Sequence, residues 1–199
     1  VFDAKKVKGN LSIRLSNKNE ELLALDGKKY NFDKKILIIA DEKQPVSIAG
    51  IIGGDYTSCD ENTTEMFLES AYFDSKYIAA SGRKLNIQSD ARYRFERGVD
   101  PNSVDKGIDF MTQLVLDICG GEVSEEVQAG QLNTNKKNIE FEYAKVEKIG
   151  GIKIDINKQE SILKNLGFSL ERKGNLCSLS IPSWRHDIHQ EVDIVEELL

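Results

Sequence analysis

The N-terminal segment carries the hydrophobic pattern of short antiparallel strands joined by tight turns. Apolar and polar residues alternate from Leu11 to Leu15, the period of a strand with one buried face. Asp26-Gly27 separates the apolar runs Leu22–Leu25 and Tyr30–Phe32, and this dipeptide is a strong hairpin signal. Ile36–Ala40 is apolar throughout, which predicts a strand buried on both faces.

Two further segments predict strands that carry ionisable residues. Met66–Phe73 is largely apolar but contains Glu69. In the stretch from Asp90 to Arg97, arginines alternate with aromatic residues, namely Arg92, Tyr93, Arg94 and Phe95. A period of two predicts a strand with one cationic face and one aromatic face.

Helical spacing predicts two helices in the same half of the chain. The first is short and runs from Ser75 to Ser81. The second runs from Pro101 to about Cys119, because Asp100 can cap its start and Gly120 can end it. One face of this longer helix is apolar and is expected to be buried: Val104, Ile108, Met111, Val115 and Ile118.

A polar stretch then predicts a linker around residues 133–137, between domains at 1–134 and 138–199. In the second domain, Asn157 is expected to cap a helix, with Glu160 in the capping-box position. The other expected elements are a short helix, a hairpin and a final helix truncated at Leu199: 143–149, 168–172 with 176–181, and from Gln190. Strands and helices are therefore segregated as in an α+β fold.

Composition narrows the class of protein. The chain has 199 residues, of which 40% are hydrophobic and 30% charged, enough for two modest cores under a charged surface. No apolar run approaches the roughly 18 residues of a membrane span, so no membrane association is expected. The three cysteines, Cys59, Cys119 and Cys177, lack metal-site spacing and fit idle thiols of a cytoplasmic protein.

Charge argues against a general nucleic-acid coat, because the net charge is −6. One segment departs from that average. Residues 83–97 contain five basic residues and two acidic ones. Contact with a polyanion is therefore expected to be local and sensitive to salt.

Two groups of carboxylates are candidates for chemistry, and the residues alone leave both open. Glu69 is either a solvated strand residue or a pocket carboxylate, which needs a donor if it is buried. Near the C-terminus, Asp193, Glu196 and Glu197 share one helix face close to Asp187. They favour the helix dipole at a solvated helix start, and equally they suit Mg²⁺, which prefers oxygen ligands.

Several motifs together resemble the β subunit of bacterial phenylalanine–tRNA ligase. The matching segments follow in the family's order over nearly the whole chain: Ile48–Gly54, Phe67–Phe73, Asp90–Pro101, Pro182–Ile188 and Asp193–Glu197. The resemblance implies a B3/B4-type editing domain with a mixed sheet and helices, followed by a small winged-helix-like B5 domain. The chain also lacks an initial Met, and we expect an internal piece of a longer subunit.

The resemblance implies an editing site that hydrolyses tyrosyl-tRNA(Phe). Glu69 would recognise the tyrosine hydroxyl, and four residues would line the substrate pocket: Gly50, Gly53, Ser89 and Ala91. The family often has Thr where this chain has Ser89. A pocket histidine would immediately precede Val1, so the chain is expected to carry only part of the site.

The resemblance also implies cofactors and partners. Asp187, Asp193, Glu196 and Glu197 would bind a Mg²⁺ shared with the α subunit of an α2β2 enzyme. ATP would be used by the whole ligase and not bound by this chain, and tRNA(Phe) would be the nucleic-acid partner. The alternative is a non-catalytic scaffold that binds tRNA or other subunits.

Overall fold

The computed structural model of the protein describes residues 1–33, 35–132 and 137–199. The chain forms two compact units, one of Val1–Val99 with Ser103–Ala129 and one of Asp100–Asn102 with Gly130–Leu199. Helices and antiparallel strands occur in both units, which confirms the predicted α+β class. The predicted linker residues 133–136 lie outside the described residues, so the domain limits at 134 and 138 stay a prediction.

The first unit contains small antiparallel sheets. Its strands are β1 (Phe2–Asp3), β2 (Ser12–Leu15), β3 (Glu21–Leu23), β4 (Lys29–Asn31), β5 (Leu37–Ala40), β6 (Pro45–Ile48), β7 (Ile52–Gly53) and β8 (Met66–Phe67). Four of them form a sheet in the order β2-β5-β6-β7, whereas β3–β4 and β1–β8 are two-stranded. The hairpin predicted across Asp26-Gly27 is confirmed as β3–β4, in which Leu22 lies opposite Tyr30.

The core of this unit lies against the two central strands of the larger sheet. Ile38 in β5 and Val46 and Ile48 in β6 are each 0% exposed. The apolar run at 36–40 is thus a strand buried on both faces, as its pattern predicts. Ile78 from the following helix is also 0% exposed and joins the same core.

Three α-helices complete the first unit: α1 (Ser75–Leu85), α2 (Asp90–Phe95) and α3 (Val104–Cys119), the last preceded by a 3₁₀ turn (Pro101–Ser103). The Asp100 carboxylate accepts a hydrogen bond from the Asn102 N–H at 2.9 Å, which confirms a helix start at this point. Ile118 was predicted on the buried face of α3 but is 74% exposed.

The strand predicted for the basic and aromatic stretch is wrong, because this stretch forms α2. Ser89 Oγ accepts from the Arg92 N–H at 3.0 Å and donates to the Ile51 carbonyl oxygen at 2.7 Å, which fixes the first turn. Residues two apart share a face in a strand but lie about 200° apart around a helix. Arg92 therefore points inward and is 6% exposed, whereas Arg94 lies at the surface.

The strand predicted for Met66–Phe73 is also mostly wrong. Only β8 pairs, with Phe2 opposite Phe67 and Asp3 opposite Met66, and β1 is two residues long. The chain from Leu68 to Asp74 consequently continues without regular secondary structure among the described residues. It is held in part by Ser70, whose hydroxyl donates to the Val104 carbonyl oxygen at 2.7 Å.

The second unit has a three-stranded antiparallel sheet beside three helices. Its elements are β9 (Asn138–Glu142), α4 (Lys145–Gly150), α5 (Ile156–Asn165), β10 (Ser169–Lys173), β11 (Leu176–Ser180) and α6 (Glu191–Leu198). The strand order is β10-β11-β9. Phe141, Leu163, Leu179 and Ile194 are each 0% exposed and form its core. The helices followed by the β10–β11 hairpin give the predicted winged-helix-like arrangement.

The predicted cap of α5 is wrong by two residues. Asp155 caps this helix, since its carboxylate accepts from the Asn157 N–H at 2.9 Å, and Asn157 lies inside the helix. Glu160 does not form a capping box but accepts a hydrogen bond from the Tyr143 hydroxyl at 2.7 Å. Asp and Asn cap helices equally well, and starting at Asp155 brings Ile156 against the core.

Candidate active site

A cleft of about 400 Å³ in the first unit contains Glu69. Three pieces of chain form its wall: the irregular segment after β8, the end of α2 with the residues that follow it, and the first half of α3. The lining residues are Glu69, Ser70, Ala71, Phe95, Val99, Ser103, Val104, Gly107, Phe110 and Met111. The wall is thus mainly apolar, with one carboxylate and two hydroxyl groups.

Glu69 is partly buried and has no hydrogen-bond donor among the described residues. Removal from water raises the pKa of its carboxyl group above the ordinary value of 4.5. A carboxyl group in an apolar wall without a donor is an open acceptor. The cleft can therefore take an apolar group that carries one hydroxyl donor.

The hydroxyl of Ser70 is already engaged inside this wall. It donates to Val104, and a Cβ added at Gly107 would lie 2.9 Å from Ser70 Oγ. The absence of a side chain at Gly107 thus leaves room for the segment next to Glu69 to pack on α3. The sequence did not predict that α3 forms part of the cleft wall. The spacing of Gly107, Phe110 and Met111 on one side of this helix was the available signal.

The four other residues predicted for the substrate pocket do not line this cleft. Gly50 adopts φ +64°, and a Cβ there would lie 3.2 Å from Phe95, which does line it. Gly53 faces Leu25, at 3.1 Å from an added Cβ. Ser89 caps α2, and Ala91 is exposed in the first turn of that helix. Gly50 therefore lies behind Phe95, a residue of the cleft wall. The roles of Gly50, Gly53, Ser89 and Ala91 in substrate binding stay predictions.

Three of the four carboxylates predicted to bind Mg²⁺ are already engaged by groups of the chain, and no side-chain contact is found for the fourth, Glu196, among the described residues. The Arg185 guanidinium pairs with both Asp187, at 2.9 and 2.6 Å, and Glu197, at 2.8 and 2.6 Å. This contact holds the pKa of Asp187 at about 2. Asp193 forms a capping box with Gln190, the N-cap of α6, since its carboxylate accepts from the N–H groups of His189 at 2.7 Å and Gln190 at 2.9 Å.

These residues do not fit a Mg²⁺ ion in the arrangement that the structure shows. Within the described ranges, no three His, Cys, Asp or Glu side chains lie close enough together to hold a metal. His186 Nε2 is buried without a hydrogen-bond partner there, but Mg²⁺ prefers oxygen to imidazole nitrogen. Sequence reasoning missed Arg185, although it lies between the matched residues Trp184 and His186.

Two domain models match successive parts of the chain. The chain belongs to the B3/4 domain family, whose model matches residues 1–120, and the model of the tRNA synthetase B5 domain matches residues 139–199. Among described residues, no helix has the length and apolar character that crossing a membrane requires.

More particularly, similar proteins include β subunits of phenylalanine–tRNA ligase, which confirms the predicted resemblance. The chain is 47% identical over 199 residues to the β subunit from Bradyrhizobium diazoefficiens and 46% identical to that from Bartonella quintana. Each match covers 100% of this chain but 25% of the relative, so the chain spans about a quarter of their length.

A solved structure gives a weaker likeness. It is an N-terminal fragment of the phenylalanyl-tRNA synthetase β subunit from Pyrococcus horikoshii, with a TM-score of 0.48 and 14% sequence identity. The match covers 99% of this chain and 57% of that chain. Membership of the family therefore rests on the two domain models.

Proposed function

We propose that this chain is the editing part of a phenylalanine–tRNA ligase β subunit and hydrolyses tyrosyl-tRNA(Phe). The observation that carries the proposal is Glu69, whose carboxyl group lies in an apolar cleft and has no donor among the described residues. The relatives at 43–47% identity are named as β subunits of this ligase, which charges tRNA with phenylalanine. Tyrosine is phenylalanine with one added hydroxyl, the group that such a cleft would select.

Two kinds of pocket treat the tyrosine hydroxyl in opposite ways. A hydrophobic pocket rejects a substrate with an extra hydroxyl by only about 10²-fold, so a second selection step is useful. A pocket with a buried acceptor selects in the opposite direction. Phenylalanine would leave Glu69 unpaired and desolvated, at a cost of about 1–3 kcal/mol.

The hydrolytic step would use water and not a covalent intermediate. Ser70 donates to Val104, and neither histidine nor lysine is found among the described residues of the cleft wall. In the proposed step, water adds to the ester carbonyl carbon and the bond to the ribose oxygen breaks. The ribose oxygen takes the proton, and backbone groups with the adjacent ribose hydroxyl would orient the water.

The test is Glu69→Ala in the complete ligase, with Glu65→Ala as the matched control. Glu65 lies four residues earlier and pairs with Lys5 at the surface. We expect Glu69→Ala to lower the rate of tyrosyl-tRNA(Phe) deacylation at least tenfold relative to that of phenylalanyl-tRNA(Phe), while Glu65→Ala changes neither rate. Phenylalanine activation serves as the check on folding. Unchanged tyrosine editing in a folded Glu69→Ala enzyme contradicts the proposal.

A scaffold role is the second candidate, and one observation favours it. One stripe of α3 exposes Phe110, Leu114 and Ile118, at 70%, 47% and 74%, and it begins at the cleft, which Phe110 also lines. Such a stripe is suited to another protein surface. If Leu114→Asp and Ile118→Asp disrupt subunit assembly while Glu69→Ala leaves editing intact, the scaffold role is the correct one.

The proposed function brings its own partners and cofactors. The α subunit, an α2β2 assembly and tRNA(Phe) are proposed partners, in the cytoplasm. ATP and Mg²⁺ would serve aminoacylation in the whole ligase. Because Arg185 and the α6 cap already engage three of the four candidate carboxylates, no step of the editing reaction is assigned to a metal.

A further inference from the structure

Because the basic stretch at 90–97 begins with helix α2, its three arginines point in different directions. Arg92 points inward, where Nη1 donates to the Ile87 carbonyl oxygen at 2.6 Å and Nε donates to Glu96 at 2.9 Å. Arg94 lies on the outer face of the helix, and Arg97 lies exposed in the turn that directly follows it. The positive charge that α2 offers to a partner is therefore that of Arg94 and Arg97.

The outer face of α2 also carries an exposed stack of an arginine on a tyrosine. The Arg97 guanidinium carbon lies 3.7 Å from the ring centroid of Tyr93, one turn earlier, and Tyr93 is 59% exposed. Arg97 donates only from Nη1, to the Tyr93 carbonyl oxygen at 2.9 Å and to Glu96 at 3.3 Å. Its remaining N–H groups have no partner among the described residues.

Arg94 is similarly uncommitted within the described part of the chain. It donates to the backbone carbonyl oxygen of Asp90 at 3.0 Å and forms no ion pair there. Helical geometry places Arg94 beside the Tyr93–Arg97 stack, and the opposite side of the same helix carries Phe95 into the cleft wall. The two faces are separated by about one helix diameter, roughly 10 Å.

This combination matches the chemistry of single-stranded RNA. Guanidinium groups bind phosphate through two parallel hydrogen bonds, and aromatic rings and arginine planes stack on unpaired bases. Residues 90–97 contain three arginines and two acidic residues, a local charge of +1 in a chain whose net charge is −6, so contact with a polyanion is favoured locally at this segment.

We propose that Tyr93, Arg94 and Arg97 form a platform for the single-stranded end of the tRNA, next to the nucleotide whose ester enters the cleft. This inference rests on the proposed function and adds a positioning surface to it. Arg94 and Arg97 would hold phosphates, and the Tyr93–Arg97 stack would hold one base. The platform would raise the local concentration of the ester at the cleft without touching the reacting atoms.

The test uses the assembled ligase and the deacylation of tyrosyl-tRNA(Phe). The double change Arg94→Gln with Arg97→Gln is expected to raise the KM of deacylation about tenfold and leave kcat unchanged. The slope of log KM against log salt concentration should fall by about 0.7 for each lost phosphate contact. Tyr93→Ala is expected to raise KM about tenfold through lost stacking. The KM of aminoacylation should not change.

Matched controls exist for both kinds of substitution. Arg172→Gln removes another exposed guanidinium that lies over a tyrosine, at 5.8 Å from the Tyr143 ring, but in the second unit. Tyr77→Ala removes an exposed tyrosine of α1. Neither control should change KM or its dependence on salt. Equal effects of the controls and the α2 substitutions overturn the platform.

A second readout separates failure of the platform from failure of the editing proposal. A photoreactive 4-thiouridine in the single-stranded end of tRNA(Phe) should cross-link to residues 89–97 of the assembled ligase, whether or not hydrolysis occurs. If the cross-link and KM are unaffected in the Arg94 and Arg97 variants while Glu69→Ala abolishes discrimination, editing stands and the platform is wrong. Loss of subunit assembly instead of cross-linking assigns this surface to a protein contact and also overturns it.

Discussion

Arg92 shows how one side chain can determine the local structure around it. It is 6% exposed, and a Cβ added at Gly82 would lie 2.2 Å from its Nε, so α1 and α2 pack with the guanidinium between them. Its charge is balanced by Glu96, and its other hydrogen bond satisfies the Ile87 carbonyl oxygen. The side chain therefore acts as a buried link between two helices and not as part of an RNA-binding surface.

This placement predicts a large difference in stability between neighbouring arginines. Arg92→Gln should lower the free energy of unfolding by about 3 kcal/mol, because it removes the buried cation that pairs with Glu96 and the donor to the Ile87 carbonyl oxygen, while Glu96 keeps only its longer contact with Arg97. Arg94→Gln should change it by less than about 0.5 kcal/mol. Urea unfolding followed by circular dichroism measures both values. Similar losses for the two variants contradict the inward orientation of Arg92.

The burial of Glu69 predicts how the free energy of unfolding depends on pH. Its pKa is raised in the folded protein because burial disfavours the charged form, so folding favours the protonated carboxyl group. Its contribution to stability is greatest below the ordinary value of 4.5 and declines as the pH rises above that value. Glu69→Gln should therefore unfold at higher urea than the unsubstituted chain at pH 7.

The control for this prediction is the same pair of proteins at low pH. At pH 4 the difference in free energy of unfolding between Glu69→Gln and the unsubstituted chain should shrink, since both then carry a neutral side chain at this position. A variant that is less stable at pH 7 shows instead that the carboxylate is held by a favourable contact. That result also weakens its assignment as an open acceptor.

At the scale of elements, the start of α2 depends on one hydroxyl group. Ser89 Oγ caps the helix and also donates to the Ile51 carbonyl oxygen in the turn before β7. Ser89→Ala should therefore cost about 1–2 kcal/mol, and Ser89→Thr should restore most of it because the hydroxyl is kept. Thermal unfolding of the two variants tests this role. An unaffected Ser89→Ala shows that α2 forms without its cap.

Elements whose pattern fits one structure only were predictable from sequence, and elements whose pattern fits two structures were not. The buried strand at 36–40, the hairpin across Asp26-Gly27 and helix α3 follow directly from their patterns. Helix α2 has only six residues, so its alternating arginines and aromatic residues fitted a strand equally well. The cap at Ser89 and the inward contacts of Arg92 decide its structure, and they include two contacts with other elements, of Ser89 with Ile51 and of Arg92 with Gly82.

The candidate site was predictable only in part for a related reason. Glu69 was identifiable as a carboxylate in an apolar segment, and it does lie in an apolar cleft. The contribution of α3 to that cleft depends on tertiary packing, for example of Gly107 against Ser70, and no local pattern encodes it. The role of Arg185 was not predicted, because clustered carboxylates suit a metal ion and an arginine counter-ion equally well, and only the folded structure shows which cation lies beside them.

In the molecule as a whole, the two units differ in whether their carboxyl groups have a partner. In the first unit no described residue donates to Glu69, whereas in the second unit Arg185 pairs with two carboxylates at once. An unpaired acceptor in an apolar cleft is suited to recognising a substrate. Paired carboxylates at the start and end of a helix are suited to holding the fold. The candidate Mg²⁺ ligands thus include groups that already have a cation.

This pairing predicts that Arg185 competes with any divalent ion at those carboxylates. Arg185→Gln in the assembled ligase should raise the affinity for Mn²⁺, used as a spectroscopic substitute for Mg²⁺, by about tenfold, because Asp187 and Glu197 then lack a counter-ion. Arg172→Gln is the matched control and should leave Mn²⁺ binding unchanged. Electron paramagnetic resonance of free Mn²⁺ measures the affinity independently of enzyme activity. Weaker binding in Arg185→Gln would mean that the guanidinium orients the two carboxylates for the metal, and Glu197→Gln should then weaken binding to a similar extent.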